Sequence, residues 1–224
     1  MSLLKLFYPD QCSACDDLLS TGEKLICTSC RHALPLAHFH TTTYNPILKL
    51  LRGRTSLENA AALFYFDKKT RVQHLIHNLK YKGQERVSAY LGEWLGSELM
   101  TTEAFKNIDC VIPVPLHKKR LKSRGYNQVT GFGKALATAL QKPYLDDILY
   151  RTKATNTQVF LGRSFRSTEV IDSFALRENN TLAGKHILLV DDLITTGGTV
   201  EGCALALNTA TNIKLSVAVM AIAV

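Results

Sequence analysis

The sequence predicts an α/β protein, a mostly parallel sheet flanked by helices with a small cysteine-bearing module at its N-terminus. Three observations carry this. Apolar, strand-like runs alternate with segments of helical period. One strand, Ile187 to Val190, runs into adjacent carboxylates, a Thr/Gly loop and a helix face, the order found where an open parallel sheet binds a ligand at its strand ends. Two Cys-x-x-Cys pairs, Cys12 with Cys15 and Cys27 with Cys30, stand near the start of the chain.

Residues 1–32 read as the small module. Each cysteine pair can present two thiolates from one tight turn, and two such turns make a tetrahedral sulfur cage, the layout of a structural Zn2+ site in a zinc-ribbon or finger-like unit. A thioredoxin-type motif needs one pair at the start of a helix rather than two pairs in succession. Four thiolates leave no open position, so the metal is expected to be structural. Cys110 and Cys203 fall within an apolar strand and on a helix core face, and read as packing residues.

Residues 33–60 read as a connector with little pattern, and residues 61–224 as the α/β domain. Leu63 to Phe66 marks a strand, and Val72, Leu75, Ile76 and Leu79 mark an amphipathic helix running into Lys80-Tyr81-Lys82-Gly83, where Gly83 is the expected stop. Val87, Leu91, Trp94 and Leu95 mark a second helix, and Cys110 to Val114 a buried strand ending near Pro115. Val129, Phe132, Leu136 and Leu140 give a third helix face, with Asn127 as its expected N-cap. Ile148-Leu149 reads as a short strand, His186 to Val190 as the motif strand, and the alternation of Ile213, Leu215, Val217 and Val219 as the last strand. The helix after the motif shows Val200, Cys203, Ala204 and Leu207 at i, i+3, i+4 and i+7.

Composition bounds the class. The chain has 224 residues, 46% hydrophobic and 21% charged, enough for one α/β domain plus a small module. It contains no uninterrupted apolar run of membrane-spanning length, so no membrane insertion is expected. Met1 to Pro9 is too short an apolar run for a signal peptide and lacks a cleavage site, so the expected location is the cytoplasm, where thiols stay reduced. The net charge of +8 is unevenly placed. No acidic residue lies from Cys110 to Leu145, where Lys118, Lys119, Arg120, Lys122 and Arg124 cluster. A second acid-free segment, Arg151 to Thr168, carries Arg151, Lys153, Arg163 and Arg166. This favours an anionic ligand, although charge alone does not choose between a small phosphate and a nucleic acid.

The chemistry concentrates in Asp191-Asp192-Leu193-Ile194-Thr195-Thr196-Gly197-Gly198-Thr199. Adjacent carboxylates at a strand end can accept hydrogen bonds from neighbouring hydroxyls such as a ribose diol. Thr195 to Thr199 can offer backbone N–H groups and hydroxyls to a phosphate, and the helix N-terminus behind them adds favourable partial charge. The plainer alternative is an acidic strand end followed by an ordinary turn. In the second constellation, Pro113-Val114-Pro115-Leu116 leads through a basic segment to Arg124-Gly125-Tyr126-Asn127-Gln128. A rigid strand end feeding exposed Arg and Lys suits a diphosphate, since Arg binds such oxygens bidentately and Lys supplies point charge. Its plainer alternative is a basic surface loop.

The Asp-Asp and Thr/Gly stretch resembles the phosphoribosyl pyrophosphate (PRPP) signature of the type I phosphoribosyltransferases. Together with the cysteine pairs, Leu79-Lys80-Tyr81-Lys82-Gly83, Pro113 to Leu116, Arg124 to Gln128, and Arg151 with Gln158, the whole chain is similar to the ComF/GntX family, phosphoribosyltransferase-like proteins associated with competence for DNA uptake. The resemblance implies a type I phosphoribosyltransferase-like fold. It implies that Asp191 and Asp192 hold the ribose hydroxyls, and that Thr195, Thr196, Gly197, Gly198 and Thr199 hold the 5-phosphate. The segment from Val114 and Pro115 through Lys118, Arg120 and Lys122 to Arg124 would correspond to the pyrophosphate loop. Arg151, Gln158, Arg163 and Arg166 would belong to a mobile segment covering the site, and Mg2+ would bridge the pyrophosphate and the ribose diol. The chain departs from the pattern twice. Relatives often carry further cysteines after the first two pairs, but none lies between Cys30 and Cys110, which leaves one metal site at most. Glu169 stands where relatives often have Asn.

The implied reaction is displacement of pyrophosphate from C1 of PRPP by a nitrogen nucleophile, with Asp191, Asp192, Arg120 and Arg124 as candidate catalytic residues. No second fingerprint identifies the acceptor. The competing reading is a non-catalytic PRPP sensor or single-stranded-DNA-binding component of a competence complex. The aromatic and basic residues of Arg124-Gly125-Tyr126 and Phe160-Leu161-Gly162-Arg163 are compatible with base stacking. A third reading is a pure interaction protein, docking competence-machinery proteins, with a relic site.

Overall fold

The structure is a computed structural model, and it describes residues 9–81, 84–152, 173–177 and 182–223. Its centre is a four-stranded parallel sheet built from β1 (Ala60–Phe66), β2 (Cys110–Pro113), β5 (His186–Ile194) and β6 (Lys214–Ala223), in the order β1-β6-β5-β2. Two further strands, β3 (Leu149–Arg151) and β4 (Phe174–Leu176), pair antiparallel beside it. The α/β class and the parallel sheet flanked by helices are as the sequence predicts. The strands run longer than their apolar cores suggest, since β1 begins at Ala60 and β6 reaches Ala223.

Alternation along β5 divides the core. Leu188 and Val190 face one layer, packed with α3 (Arg71–Tyr81), α4 (Glu85–Leu99) and α6 (Thr130–Leu140). Ile187 and Leu189 face the other, packed with α2 (Pro46–Leu51), α7 (Gly198–Leu207) and the β3–β4 pair. Period 2 thus distributes one apolar run between two cores, as a sheet covered on both faces requires. The apolar positions Val72, Leu75, Ile76 and Leu79 of α3, and Val200, Cys203, Ala204 and Leu207 of α7, are all buried.

The cysteine segment is not set apart from this core. Cys12, Ala14, Ile26, Cys27 and Cys30 belong to the same apolar cluster as α3 and α4. A short helix, α1 (Thr28–Ala33), starts at Cys27, and its Arg31 lies 4.8 Å from the Trp94 ring centroid of α4 while donating to Tyr90 Oη. The Asn78 side chain of α3 is fully buried and donates to the Ser13 carbonyl at 2.9 Å.

Three local features differ from the sequence reading. Residues 33–60 contain α2 and a 3-10 turn at Phe39–Thr41, and Leu36 bridges to Phe64 of β1. Single-turn elements carry no readable period. The basic segment expected as a loop forms a short helix, α5 (Lys118–Arg124), closed by Gly125 in the left-handed region at φ +85°. Its residues show no apolar face because none of them is buried. Asn127 does not take the N-cap position of α6; its Oδ1 accepts from Val129 N at 3.3 Å, one turn earlier, and Val129 stands at the cap.

Helices α4 and α6 approach closely because glycines face the contact. A Cβ at Gly92 would lie 2.5 Å from the Phe132 carbonyl oxygen and 2.8 Å from Ala135 Cβ. Backbone cannot yield as a flexible side chain can, so Gly92→Ala is expected to cost about 2 kcal/mol, within the range for overpacking. For a chain of this size that lowers the melting temperature by roughly 4–8 °C. Thermal denaturation followed by circular dichroism checks it, and an unchanged midpoint contradicts the packing described.

Candidate functional site

Strand β2 ends at Pro113, paired with Val190, and Val114 N donates to the Val190 carbonyl at 2.9 Å. Strand β5 runs on to Ile194, paired with β6, so Asp191 and Asp192 lie within the strand rather than just past an end at Val190, where the sequence pattern puts them. This register brings Asp191 and Asp192 beside Pro113, Val114 and the chain leading into α5. Both carboxylates are buried, at 8% and 5% exposure. As neighbours on one strand they face opposite sides of the sheet. Asp192 points with Leu188 and Val190 towards α3 and α6, whereas Asp191 points towards the α7 side, where Arg151 contributes a favourable charge interaction.

Asp192 is held at both oxygens. Lys80 Nζ, from the last turn of α3, donates to Oδ1 at 2.9 Å, and Gln128 Nε2 donates to Oδ2 at 2.6 Å. Gln128 Oε1 in turn accepts from Arg124, whose guanidinium also sits 5.7 Å from the Tyr81 ring centroid. The rest of the Arg-Gly-Tyr-Asn-Gln run is equally committed. The Tyr126 hydroxyl donates to the Leu79 carbonyl at the end of α3, and Asn127 Nδ2 donates to the Val114 carbonyl at 3.0 Å. Ser88 of α4 accepts from Phe132 N and donates to the Gln128 carbonyl, satisfying the buried start of α6. Four side chains of this short run therefore tie α3, β2 and β5 together.

The Asp191 carboxyl is pushed up to about 7, first by burial and second by the neighbouring charge of Asp192. The Asp192 backbone N–H, donating to Asp191 Oδ1 at 2.8 Å, and the charges of Lys80 and Arg151 oppose this without cancelling it. Arg151 itself is held below its ordinary range, by burial and then by the like charge of Arg120. Arg120 and Arg151 are thus drawn into one electrostatic neighbourhood with Asp191.

Beyond β5, Thr195 and Thr196 are exposed and Gly197 takes φ +79°. A side chain at Gly197 would meet that unfavourable φ and lie 2.7 Å from Leu51 Cδ2. Arg54 fixes the loop from outside, its Nη1 donating to the Thr196 carbonyl at 2.6 Å while its guanidinium pairs with Glu201 in the first turn of α7. Thr195, Thr196, Gly197, Gly198 and Thr199 thus lead from the acidic strand end into the N-terminus of α7. A cavity of about 780 Å³ lies on the β2 side, walled by Pro113, Pro115, Lys118, Asn127, Tyr150 and Arg151. Lys122 stands on the exposed helix α5 near it. Gln158, Arg163, Arg166 and Glu169, with Lys82 and Gly83, lie outside the described residues.

Lys80, Gln128 and Arg54 are not among the residues that sequence reasoning assigns to the site. Lys80 and Gln128 stand inside recognisable runs, but nothing local shows that they meet across 112 and 64 residues at one carboxylate.

The four cysteine sulfurs of the N-terminal segment lie within 4.8 Å of one another, and none forms a disulfide. Cys15 Sγ and Cys27 Sγ are 3.9 Å apart. Zinc–sulfur bonds in a tetrahedron place neighbouring sulfurs about 3.8 Å apart, so the set fits such an ion. Cys12 Sγ accepts from Cys27 N at 3.2 Å and Ala14 N at 3.4 Å, and Cys27 Sγ from Cys30 N at 3.4 Å. Burial raises the Cys12 thiol, but hydrogen bonds from Cys27 N, Ala14 N and Cys15 outweigh it and bring the group below its ordinary value, whereas burial pushes Cys15 up and Cys30 up to about 11. The cluster can hold a metal ion such as zinc. Among the described residues no helix is long and apolar enough to cross a membrane.

No protein-family model matches the chain. The DNA utilization protein YhgH of Escherichia coli K12 is 29% identical over 196 residues, 86% of this chain and 82% of the relative. Competence protein F of Haemophilus influenzae is 34% identical over 57% of each chain. Adenine phosphoribosyltransferase of Histophilus somni is 32% identical over 107 residues, 44% of this chain and 55% of that enzyme. Among solved structures, an adenine phosphoribosyltransferase covering 66% of this chain and 75% of its own superposes with a TM-score of 0.38 at 20% identity.

Two outcomes follow from the geometry. Removing the Lys80 cation leaves Asp192 buried with Gln128 alone, so Lys80→Met is expected to destabilise the fold by roughly 3 kcal/mol, the lower end for breaking a buried ion pair. Urea denaturation checks it, and a loss under 1 kcal/mol contradicts the described pairing. For Asp191 the sign runs the other way. Its folded-state value lies above the unfolded 3.8, so the folded form binds more protons between these values and stability falls as pH rises through that window. Asp191→Asn should therefore raise the melting temperature at pH 8, with the gain shrinking towards pH 5. An equal gain at both pH values contradicts the assignment.

Proposed function

We propose that this homologue of YhgH and Competence protein F binds PRPP with Mg2+ and transfers its phosphoribosyl group to a nitrogen acceptor, releasing pyrophosphate. The observation that carries the reading is that an acidic pair in β5, just past where β2 ends beside it, leads into a Thr/Gly loop opening a helix and lies next to an acid-free basic segment. The adenine phosphoribosyltransferase relative, matched over part of the chain, supports the same substrate class.

In this reading Thr195, Thr196, Gly197, Gly198 and Thr199 hold the 5-phosphate against the N-terminus of α7. Asp191 and Asp192 would reach the ribose hydroxyls from the two sides of β5 that they face. Each Asp192 oxygen uses one protein donor and retains capacity for another. Asp191 and Asp192 are the carboxylates that would stand nearest a bound Mg2+, whose charge would neutralise the anionic ligand and favour the ionised form of Asp191, which burial disfavours. Val114, Pro115 and Lys118 shape the pyrophosphate side, and Lys122, Arg120 and Arg124 provide cations for the leaving group, each well-placed one contributing roughly 3 kcal/mol, about 100-fold in rate. The displacement develops positive charge on the ribosyl centre, so catalysis rests on positioning and leaving-group stabilisation rather than on a protein nucleophile. Arg151, expected in a mobile covering segment, is instead held in β3 opposite Phe174 and supplies a cation at the cavity wall, while Gln158, Arg163 and Arg166 lie outside the described residues. The cysteine set within residues 1–32 would carry a structural zinc ion, packed on the same core as α3 and α4 of the phosphoribosyltransferase-like part, and residues 33–60 would join the two while packing α2 against that part.

A second reading is favoured by one observation. Helix α5 exposes Lys118, Lys119, Arg120 and Lys122 with no acidic residue from Cys110 to Leu145, and the named relatives are DNA utilization and competence proteins. Such a face suits single-stranded DNA in a competence complex, with the PRPP site acting as a sensor.

Calorimetric titration of magnesium-PRPP into the wild-type protein and the Asp191→Asn/Asp192→Asn double variant tests the first reading. Micromolar binding that the variant loses is expected. Absence of binding to folded, zinc-loaded wild type overturns it, and steeply salt-dependent binding of single-stranded oligonucleotides by the same sample then supports the second.

A further inference from the structure

We infer that His38, His40 and Glu98 form a second metal site, for a divalent first-row transition ion, built from nitrogen and oxygen donors and separate from the cysteine cluster. The three residues come from two parts of the chain, a turn before β1 and the last turn of α4. His38 Nδ1 lies 3.4 Å from Glu98 Oε2, and His40 Nε2 lies 3.3 Å from the same oxygen. One ligand atom from each lies within 4.8 Å of the others. An ion with bonds of about 2.1 Å holds neighbouring donors roughly 3.0–3.4 Å apart, so the spacing on both sides of Glu98 is that of a ligand shell.

The arrangement is built rather than incidental to a surface ion pair. His38 adopts φ +47° and ψ 9°, the left-handed conformation that a side chain with a Cβ takes at a cost of roughly 1–2 kcal/mol. That turn brings residues i and i+2 to one carboxylate. Both supports are rigid. Ala37 N donates to the Leu63 carbonyl of β1, Phe39 between the two histidines is buried and packs 6.2 Å from the Tyr65 ring, and α4 is locked against α6 at Gly92 and Gly96. The His40 side chain is 1% exposed, and its Nδ1 has no hydrogen-bond partner. Its only polar anchor among the described residues is therefore Glu98.

Two imidazoles and one carboxylate are the donor set of Zn2+, Co2+, Ni2+ or Fe2+ rather than of Mg2+ or Ca2+. The His38 side chain is 53% exposed, so the remaining coordination positions open to solvent and take water or an exogenous ligand. The sequence count of one metal site rested on cysteines alone. His38 and His40 read locally as an unremarkable His-x-His, and Glu98 lies 58 positions beyond His40.

Titration of metal-free, full-length protein with Co2+ separates the two sites by colour. Thiolate coordination gives intense charge-transfer absorption in the near ultraviolet, whereas a nitrogen and oxygen site gives weak visible bands alone. Wild type is expected to bind two equivalents, one of each kind. The variants His38→Ala and Glu98→Gln should keep the charge-transfer equivalent, which also reports that the protein is folded, and lose the other. The Cu2+ form should show hyperfine coupling to two nitrogens in wild type and not in His38→Ala. A single equivalent in wild type, or a second equivalent that survives in either variant, overturns the site.

Discussion

The candidate site depends on one buried carboxylate. Asp192 cannot sit at 5% exposure unless its charge is matched, and the match comes from Lys80 on α3 and Gln128 at the head of α6. Each partner is held in turn. The end of α3 is gripped by the Tyr126 hydroxyl at the Leu79 carbonyl, and Gln128 is oriented by Arg124. The charge that would be costly to bury alone therefore specifies where a helix end, a strand end and a loop must meet. The two aspartates, adjacent in sequence, consequently have different characters. Asp192 is met by two protein donors, whereas burial and then the neighbouring charge of Asp192 push the Asp191 carboxyl upward.

The cysteine segment reaches this network through the same helix. Asn78 of α3 donates to the Ser13 carbonyl, between Cys12 and Cys15, two residues before Lys80 reaches Asp192. On the other side of the segment, Arg31 stacks on Trp94 of α4, the helix whose glycines seat α6 and hence Gln128. A metal that fixes the cysteine turns therefore bears on both donors to Asp192 through packed helices. No reactive position of its own is required, in keeping with a closed four-thiolate set.

What was legible in the sequence was whatever is local. The Ile187–Val190 run, the acidic pair, the Thr/Gly loop and the cysteine spacing are contiguous, and each keeps in the fold the neighbours it has in the chain. The alternation of apolar strands with helical faces was enough for the parallel sheet. Lys80, Arg54 and Gln128 act through partners 64 to 147 residues away, and pattern has no access to such pairs. Helix α5 was opaque for another reason. It buries nothing, and amphipathic period exists only where a helix has a core to face. His38 and Glu98 combine both difficulties, being far apart and brought together by a left-handed residue that ordinary propensity disfavours.

Hydrogen–deuterium exchange of the full-length protein, with and without magnesium-PRPP, measures the central claim most directly. If Asp192 joins the strand ends into one site, the ligand should slow exchange together in peptides covering 110–128 and 187–200, with smaller protection at the end of α3. Protection confined to one of these segments, or spread over a surface remote from them, would contradict the account.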